Sequence, residues 1–522
     1  MRRRMSKPHF QIAVIGSGFA GSLLTMIARR LGLSTILIER GKHPHFVIGE
    51  SSTPLANLLL EEIADDYDLP FVRPLSKWGS WQKDFPRIGC GLKRGFTFYH
   101  HKLDKPSAPD PKRERQLLVG ASPNETVSDT HWYRPDFDQY LVEQARRLGV
   151  TYWDETELES ASKEAAGIRL TGTRHDQTFE LTAEFVVDAT GPRGFLCRKL
   201  ALPEDQSRPL LATQALFSHF RDVGSLPKSF AASDSPPYPP EQAAMHHVFE
   251  GGWVWVLKFN NGITSAGVAA TDDIANELRF SSGEDAWHRL LKRLPSLDEV
   301  FGRAQALVPF VHLPRVAFRS SEIVGAHWAL LPSAAGFVDP LLSTGFPLTL
   351  LGVQRIARIL RSHWRRASLV SELQSYAQQT ALELDATTTL MEALYATMNR
   401  FDLFRSLTLL YFVAASFSEM ARRLGKPHLA DSFLLCRNPA FAIQFNELCR
   451  RAKVVNSAAE ATEVERGIYR SIERFDVAGL TDRSRHHWYP ALTDDLFRNR
   501  AKLGATEQEI AAMLQKCGLN TD

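Results

Sequence analysis

The first forty residues change hydrophobic period twice. Phe10 to Ile15 is a short, continuous apolar run, Phe19 to Leu31 repeats its apolar residues at helical spacing, and Thr35 to Glu39 is again compact and apolar. Short apolar runs bounded by turn residues suit buried strands, and an i, i+3, i+4 repeat suits a helix with a buried face. The opening therefore predicts a βαβ unit. Ser76 to Lys102 is mixed, rich in Trp, Phe, Gly and Lys, and the Pro- and charge-rich Leu103 to Arg115 reads as a surface loop. Phe137, Leu141, Ala145 and Leu148 mark a helix from Arg134, stopped by Gly149. Alternation at Ile168–Leu170 and Phe179–Leu181 predicts strands between Thr151 and Val187. Leu210 to Val311 is strand-rich with a Pro/Ser break at Ser233 to Pro240, and Ala329 to Ile359 reads as strand, Gly-rich turn and helix. From Ser368 onward the pattern is helical.

These elements predict an α/β chain with a Rossmann-type nucleotide domain over 1–210, carrying an inserted substrate-domain segment at about 76–130. A β-rich substrate domain follows at 211–325, then a return to the first domain at 326–367 and a helical region at 368–522. A length of 522 residues supports several such units. Basic and acidic residues nearly balance, 62 against 59, and are spread along the chain, which argues against nucleic-acid binding. Five scattered cysteines without a C-x-x-C pair suit reduced thiols in the cytoplasm and no metal site. Arg2 to Arg4 reads as a disordered basic leader rather than a signal, because the apolar run after it leads straight into Gly16. No membrane span is expected: the best candidate, Leu403 to Phe417, is interrupted by Arg405, Ser406 and Thr408.

The strongest chemical signal is Gly16-Ser17-Gly18-Phe19-Ala20-Gly21, placed between a strand and a helix. Gly16 permits the turn, Gly18 lets backbone approach a pyrophosphate, and Gly21 lets the helix pack on the strand. Glu39, 18 residues after Gly21, ends the second strand where a carboxylate binds ribose hydroxyls. Phe19, Ala20 and Arg40 complete this candidate set. Val186-Val187-Asp188-Ala189-Thr190-Gly191 resembles the second fingerprint of FAD-dependent hydroxylases, and Arg134-Pro135-Asp136-Phe137-Asp138 their R-x-x-F-D segment, with Arg134 near the flavin phosphates.

Four further segments resemble flavin-dependent halogenases, nearer the phenol- or pyrrole-type branch: Gly49-Glu50-Ser51-Ser52-Thr53-Pro54, Leu92-Lys93-Arg94-Gly95-Phe96-Thr97-Phe98, Gly252-Trp253-Val254-Trp255-Val256-Leu257, and the turn from Gly336-Phe337-Val338-Asp339-Pro340 to Ser343-Thr344-Gly345. The resemblance implies FAD, used as FADH2, whose hydroperoxide with O2 oxidises chloride or bromide to hypohalous acid. It implies Ser51, Arg134, Asp339 and Gly345 at the flavin, and Thr344 and Gly345 at the halide. Lys93 would hold the electrophile beside the substrate, with Lys77 as a rival, and Trp253 and Trp255 would crowd the flavin pocket. His247, or its neighbour His246, is the candidate general base for a phenolic substrate.

The partners implied are a separate flavin reductase and a small aromatic substrate (phenol, pyrrole or indole-like), free or carried on a carrier protein. Three departures stand out: Lys258 follows Leu257 where the family has proline, Pro332-Ser333 replaces a Gly-Asp pair, and Leu342 stands where tryptophan halogenases have glutamate. Leu342 disfavours free tryptophan as substrate. Lys258 keeps open a flavin monooxygenase or dehydrogenase without halide chemistry. A non-catalytic FAD-binding component of a biosynthetic complex is the third reading.

Overall fold

A computed structural model describes residues 8–107, 110–226 and 235–519. The leader at Arg2 to Arg4 and Ser233, at the head of the Pro/Ser break, lie outside the described residues. The chain opens with β1 (His9–Ile15), α1 (Phe19–Arg30) and β2 (Thr35–Ile38), then α2 (Pro54–Asp66), β3 (Cys90–Lys93), β4 (Gly95–His100), β5 (Gln116–Gly120), β6 (Asp129–Trp132) and α3 (Arg134–Arg147). β7 (Gln177–Asp188), β8 (Thr213–Arg221), β9 (Ala244–Phe249), β10 (Gly252–Lys258) and β11 (Thr264–Thr271) follow. The long helices α4 (Gly345–His363), α5 (Leu369–Ala396) and α6 (Phe401–Arg423) come next, and a late short strand, β12 (Trp488–Tyr489), interrupts the helical tail.

Among the described residues, the first sheet has eight strands, with β1 central between β7 and β2 and parallel to both. Ile12 to Val14 and Ile36 to Leu37 have no exposed surface. Both faces of these strands are covered, which is why their sequences run apolar without alternation. The register sets Ile15 opposite both Asp188 and Ile38, so the Gly16 turn leaves the sheet beside the end of β7.

The second sheet orders its main strands β8-β11-β10-β9-β4-β5-β12. β4 and β5 come from the inserted segment, and β4 lies parallel to β9. Alternation divides this sheet's faces. Phe96, Phe98, Trp253 and Trp255 join the core shared with the nucleotide domain and α6, whereas Met245, Val254 and Val256 pack with Trp287 and Leu290 on a separate cluster.

Among the described residues, α6 is the one helix long and apolar enough to cross a bilayer by length and composition, and 83% of that stretch is buried inside the protein. Arg405 and Ser406 do not break it, because packing covers a helix that is apolar on nearly all sides. All five cysteines are free.

Candidate functional site

The nucleotide cradle is built from glycines whose neighbours exclude a side chain. Gly16 has φ +98°, and an added Cβ would lie 2.8 Å from the Ala189 carbonyl oxygen. At Gly21 the Cβ would fall 1.9 Å from the Gly16 oxygen, which only glycine avoids. Gly18 begins α1 without a side-chain cap, leaving the helix's first N–H groups for a ligand. Arg134 stands over this opening, its Nη2 3.0 Å from where a Gly18 Cβ would be. Its guanidinium is buried, fixed by Asp138 (Nε to Oδ1, 2.9 Å) and by donation to the Gly49 oxygen (2.9 Å).

Glu39 closes the other end. Its carboxylate accepts from Ser17 N (2.9 Å) and from Gly41 N (2.9 Å). Burial works to raise its pKa, but the N–H bonds from Ser17 and Gly41 outweigh it and hold the carboxyl below its usual value. Arg40 is exposed just beyond β2. Phe19 and Ala20 are buried, and the Phe19 ring packs on Trp132 and Phe346 at 5.4 and 5.0 Å. A helix terminus, a buried guanidinium and a charged carboxylate at one loop fit a dinucleotide with a pyrophosphate and a free ribose diol.

Residues 49–53 connect this cradle to a second site. Thr53 caps α2 by accepting from Ala56 N, with Pro54 at the first helical position, and this sets the direction in which the segment arrives. Trp132 N donates to the Glu50 oxygen (2.6 Å), and Ser52 Oγ to the Thr130 oxygen (2.7 Å). The Glu50 carboxylate meets His219 Nε2 of β8 at 2.8 Å, both side chains buried.

Lys93, the last residue of β3, has no exposed surface. Its Nζ donates to Ser51 Oγ (2.8 Å) and to the Ser52 carbonyl, and rests 3.7 Å from the Phe96 ring centroid. Burial pushes its pKa down to about 7, while Asp129 pulls it upward. Phe96 also lines a cavity of about 170 Å³. Thr53, Val119, Tyr411 and Leu514 supply other walls, from α2, β5, α6 and the C-terminal tail. Lys77 lines the same cavity, but its partly exposed amine is engaged by the Cys517 carbonyl at 3.2 Å. Lys93 is the amine sealed in the interior.

The turn after Asp339 carries two successive non-glycine residues in the left-handed region, Leu342 (φ 65°) and Ser343 (φ 56°). Such residues cost on the order of 1–3 kcal/mol each and cluster at functional sites. Thr344 is buried and Gly345 starts α4. An added Cβ at Gly345 would only touch Phe337 at 3.5 Å, so the chain's own packing gives no steric reason for glycine there. Asp339 faces inward: it accepts from Leu341 N (2.9 Å), the Tyr395 hydroxyl (2.9 Å) and Trp253 Nε1 (3.3 Å). Burial raises its pKa to about 6 against those three donors.

Trp253 and Trp255 share one face, with ring centroids 5.6 Å apart. His246 is on that face too, stacked on Phe98 at 4.4 Å and Trp253 at 5.3 Å. His247, the expected general base, points the other way, its Nδ1 3.0 Å from His101 Nε2. The reason is the two-residue period of a strand, which sends neighbours to opposite faces. Burial holds both imidazoles neutral, with pKa values lowered to about 3. Sequence reading also passes over Asp129, Asn57, His219 and Tyr395, whose roles depend on strand register and helix packing with no local motif.

Comparison with known proteins agrees with this architecture. The family model for tryptophan halogenases matches residues 113–406. Monodechloroaminopyrrolnitrin halogenase PrnC from Pseudomonas fluorescens is 29% identical over 355 residues, 67% of this chain and 61% of that protein. Tetracycline 7-halogenase from Kitasatospora aureofaciens is 28% identical over 387 residues, 71% of this chain and 66% of that protein. The chain thus spans about three fifths to two thirds of the length of these curated relatives. Halogenase PltM, solved in complex with phloroglucinol and FAD, superposes with a TM-score of 0.78 at 24% identity, covering 91% of this chain and 99% of that one. With the family model covering more than half of its residues, the chain belongs to the tryptophan halogenase family.

Proposed function

We propose that this protein is an FAD-dependent halogenase of an electron-rich aromatic ring, supplied with reduced flavin by a separate reductase. The observation that carries this reading is Lys93: an amine sealed in the interior against Phe96, the aromatic wall of a cavity large enough for a small arene. A comparable engineered cavity of about 150 Å³ binds benzene. PrnC and tetracycline 7-halogenase, by their names, halogenate aromatic compounds, and the phloroglucinol bound to PltM is a phenol.

Reduced flavin, when bound with O2, supplies the oxidising equivalent that converts chloride or bromide to hypohalous acid. The chain's own residues do the rest. Gly18, Arg134 and Glu39 hold the dinucleotide by phosphate and ribose. The strained turn at Leu342–Ser343 directs backbone to Thr344 and Gly345, where N–H groups receive a halide, and the glycine leaves space for it. Trp253 and Trp255 keep organic substrate away from the oxidant, and Asp339 fixes Trp253. Lys93 donates a hydrogen bond to the oxidised halogen beside the arene. His246, neutral and on the same face as Trp253, is the base candidate in place of His247.

Lys258 does not disturb this scheme: by alternation it points away from Trp253 and Trp255, and its amine is paired with Glu241 at 3.1 Å. The test is purified protein with FAD, a flavin reductase and bromide, assayed by mass spectrometry against phenols, pyrroles and indoles. Bromide-dependent monobrominated product is expected. Oxygen insertion at the same rate with or without bromide would replace this reading by a monooxygenase.

A further inference from the structure

Leu342 puts no carboxylate where tryptophan halogenases have their glutamate, but one lies opposite Lys93 in a strand pair. Asp129 of β6 lies directly opposite Lys93 of β3 in their antiparallel pair. Opposed residues in such a ladder project to the same face with Cβ atoms about 5 Å apart. Both side chains are buried. Asn57 of α2 donates to Asp129 Oδ1 at 2.8 Å, and Oδ2 is buried without a hydrogen-bond partner. The hydrogen bonds of Lys93 run to neutral oxygens, the Ser51 hydroxyl and the Ser52 carbonyl. A dehydrated amine and a dehydrated carboxylate on one face balance each other's charge far better than either stands alone.

The other charged and titratable groups facing the pair do not replace that balance. Burial raises the Asp129 pKa and Glu419 of α6 raises it further, while Lys93, the Asn57 hydrogen bond and Arg423 pull it back; Glu419 and Arg423 are bonded to each other at 2.8 Å. Tyr411 of α6 also faces the carboxyl, and burial keeps its phenol protonated. His131 and His246 face Lys93, and burial keeps both neutral.

Resting on the halogenase reading, we propose that Asp129 is the positioning residue of Lys93: its negative charge keeps the amine an ammonium, and therefore a hydrogen-bond donor to oxidised halogen, in a site too dry for an unpaired cation. Asp129 acts through Lys93 and touches neither halogen nor arene.

The experiment uses full-length protein with 13Cε-labelled lysine, the Lys93 signal being assigned by its loss in Lys93→Met. In Asp129→Asn the Lys93 titration midpoint is expected to fall by about one pH unit or more, since removing a close counter-charge produces shifts of that size. Asp129→Glu should return it toward the wild-type midpoint. The alkaline limb of the halogenation rate should move the same way in each variant. Reciprocally, in Lys93→Met the 13Cγ signal of Asp129 should titrate at higher pH than in wild type. Midpoints unchanged in Asp129→Asn, or in Lys93→Met if Asp129→Asn does not fold, overturn the proposal. Shifted midpoints in a protein that never forms halogenated product would keep the pairing and reject the halogenase reading instead.

Discussion

The candidate nucleotide cradle and the surroundings of Lys93 meet at residues 49–53, yet they handle the burial of charge in opposite ways. In the cradle, Arg134 is held by Asp138 four residues along the same helix, and Glu39 is held by the backbone N–H of Gly41 two residues on. These are short-range bonds, and those to Glu39 hold its carboxyl below the usual pKa. Around Lys93 the partners are distant in sequence: Asp129 comes from the facing strand, Asn57 of α2 donates to it, and burial works against charge on both Lys93 and Asp129. Binding an anionic cofactor needs fixed charges, which local backbone provides cheaply. Under the proposed function, directing a reactive electrophile would need a single dry donor, which long-range packing encloses.

The comparison breaks most severely at Lys93. Lys93→Met should lower halogenated product by about 10²–10⁴-fold, the usual range for a positioned proton donor, while O2 consumption by reduced flavin continues; parallel mass spectrometry and oxygen-electrode traces would separate the two. A parallel collapse of both would make the lysine structural. Next comes pH. Because burial lowers the Lys93 pKa from 10.5 to about 7, the ammonium is present below that value and is lost above it. Product formation should therefore fall roughly tenfold per pH unit on the alkaline side, whereas the Glu39 carboxyl, held below its usual pKa, is already ionised there, so flavin affinity should stay flat across the same range. Rate profiles paired with flavin-fluorescence titrations check this.

Glu39→Ala sharpens the same contrast from the cradle side. Loss of a charged acceptor should weaken FAD binding by about tenfold, near 1.5 kcal/mol, with no change in the Lys93 titration. The smallest effect separates the two faces of β9. His246→Gln should slow halogenation by several-fold on the order of a modest general-base contribution, and His247→Gln should leave it within about twofold. Equal effects would remove the distinction between the faces.

The cradle was legible because its geometry is local. Period and glycine spacing place β1, α1 and β2 to within a residue, and the close approach at Gly21 follows from the motif itself. The chamber was legible only in part. Motif resemblance pointed to Lys93, but lysine is ordinarily exposed, and nothing near it in sequence announces that β3 pairs with β6 and brings Asp129 opposite. Sequence left the faces of His246 and His247 undecided for a related reason. Both faces of the second sheet are apolar, Trp253 and Trp255 on one and Val254 and Val256 on the other, so alternation gave no sign of which face meets the flavin domain. β12 was missed because two residues inside a helical tail are too few to show a strand period.

That short strand constrains how the protein can be re-engineered. β12 runs parallel to β5, pairing Trp488 with Leu118 and Tyr489 with Val119, and Val119 is itself part of the cavity wall. Trimming the C-terminus to widen the cavity would strip a rung from the sheet and leave β5 as an open edge prone to intermolecular pairing. Pruning individual lining side chains such as Leu514 or Met513 would enlarge the cavity and keep that seam closed.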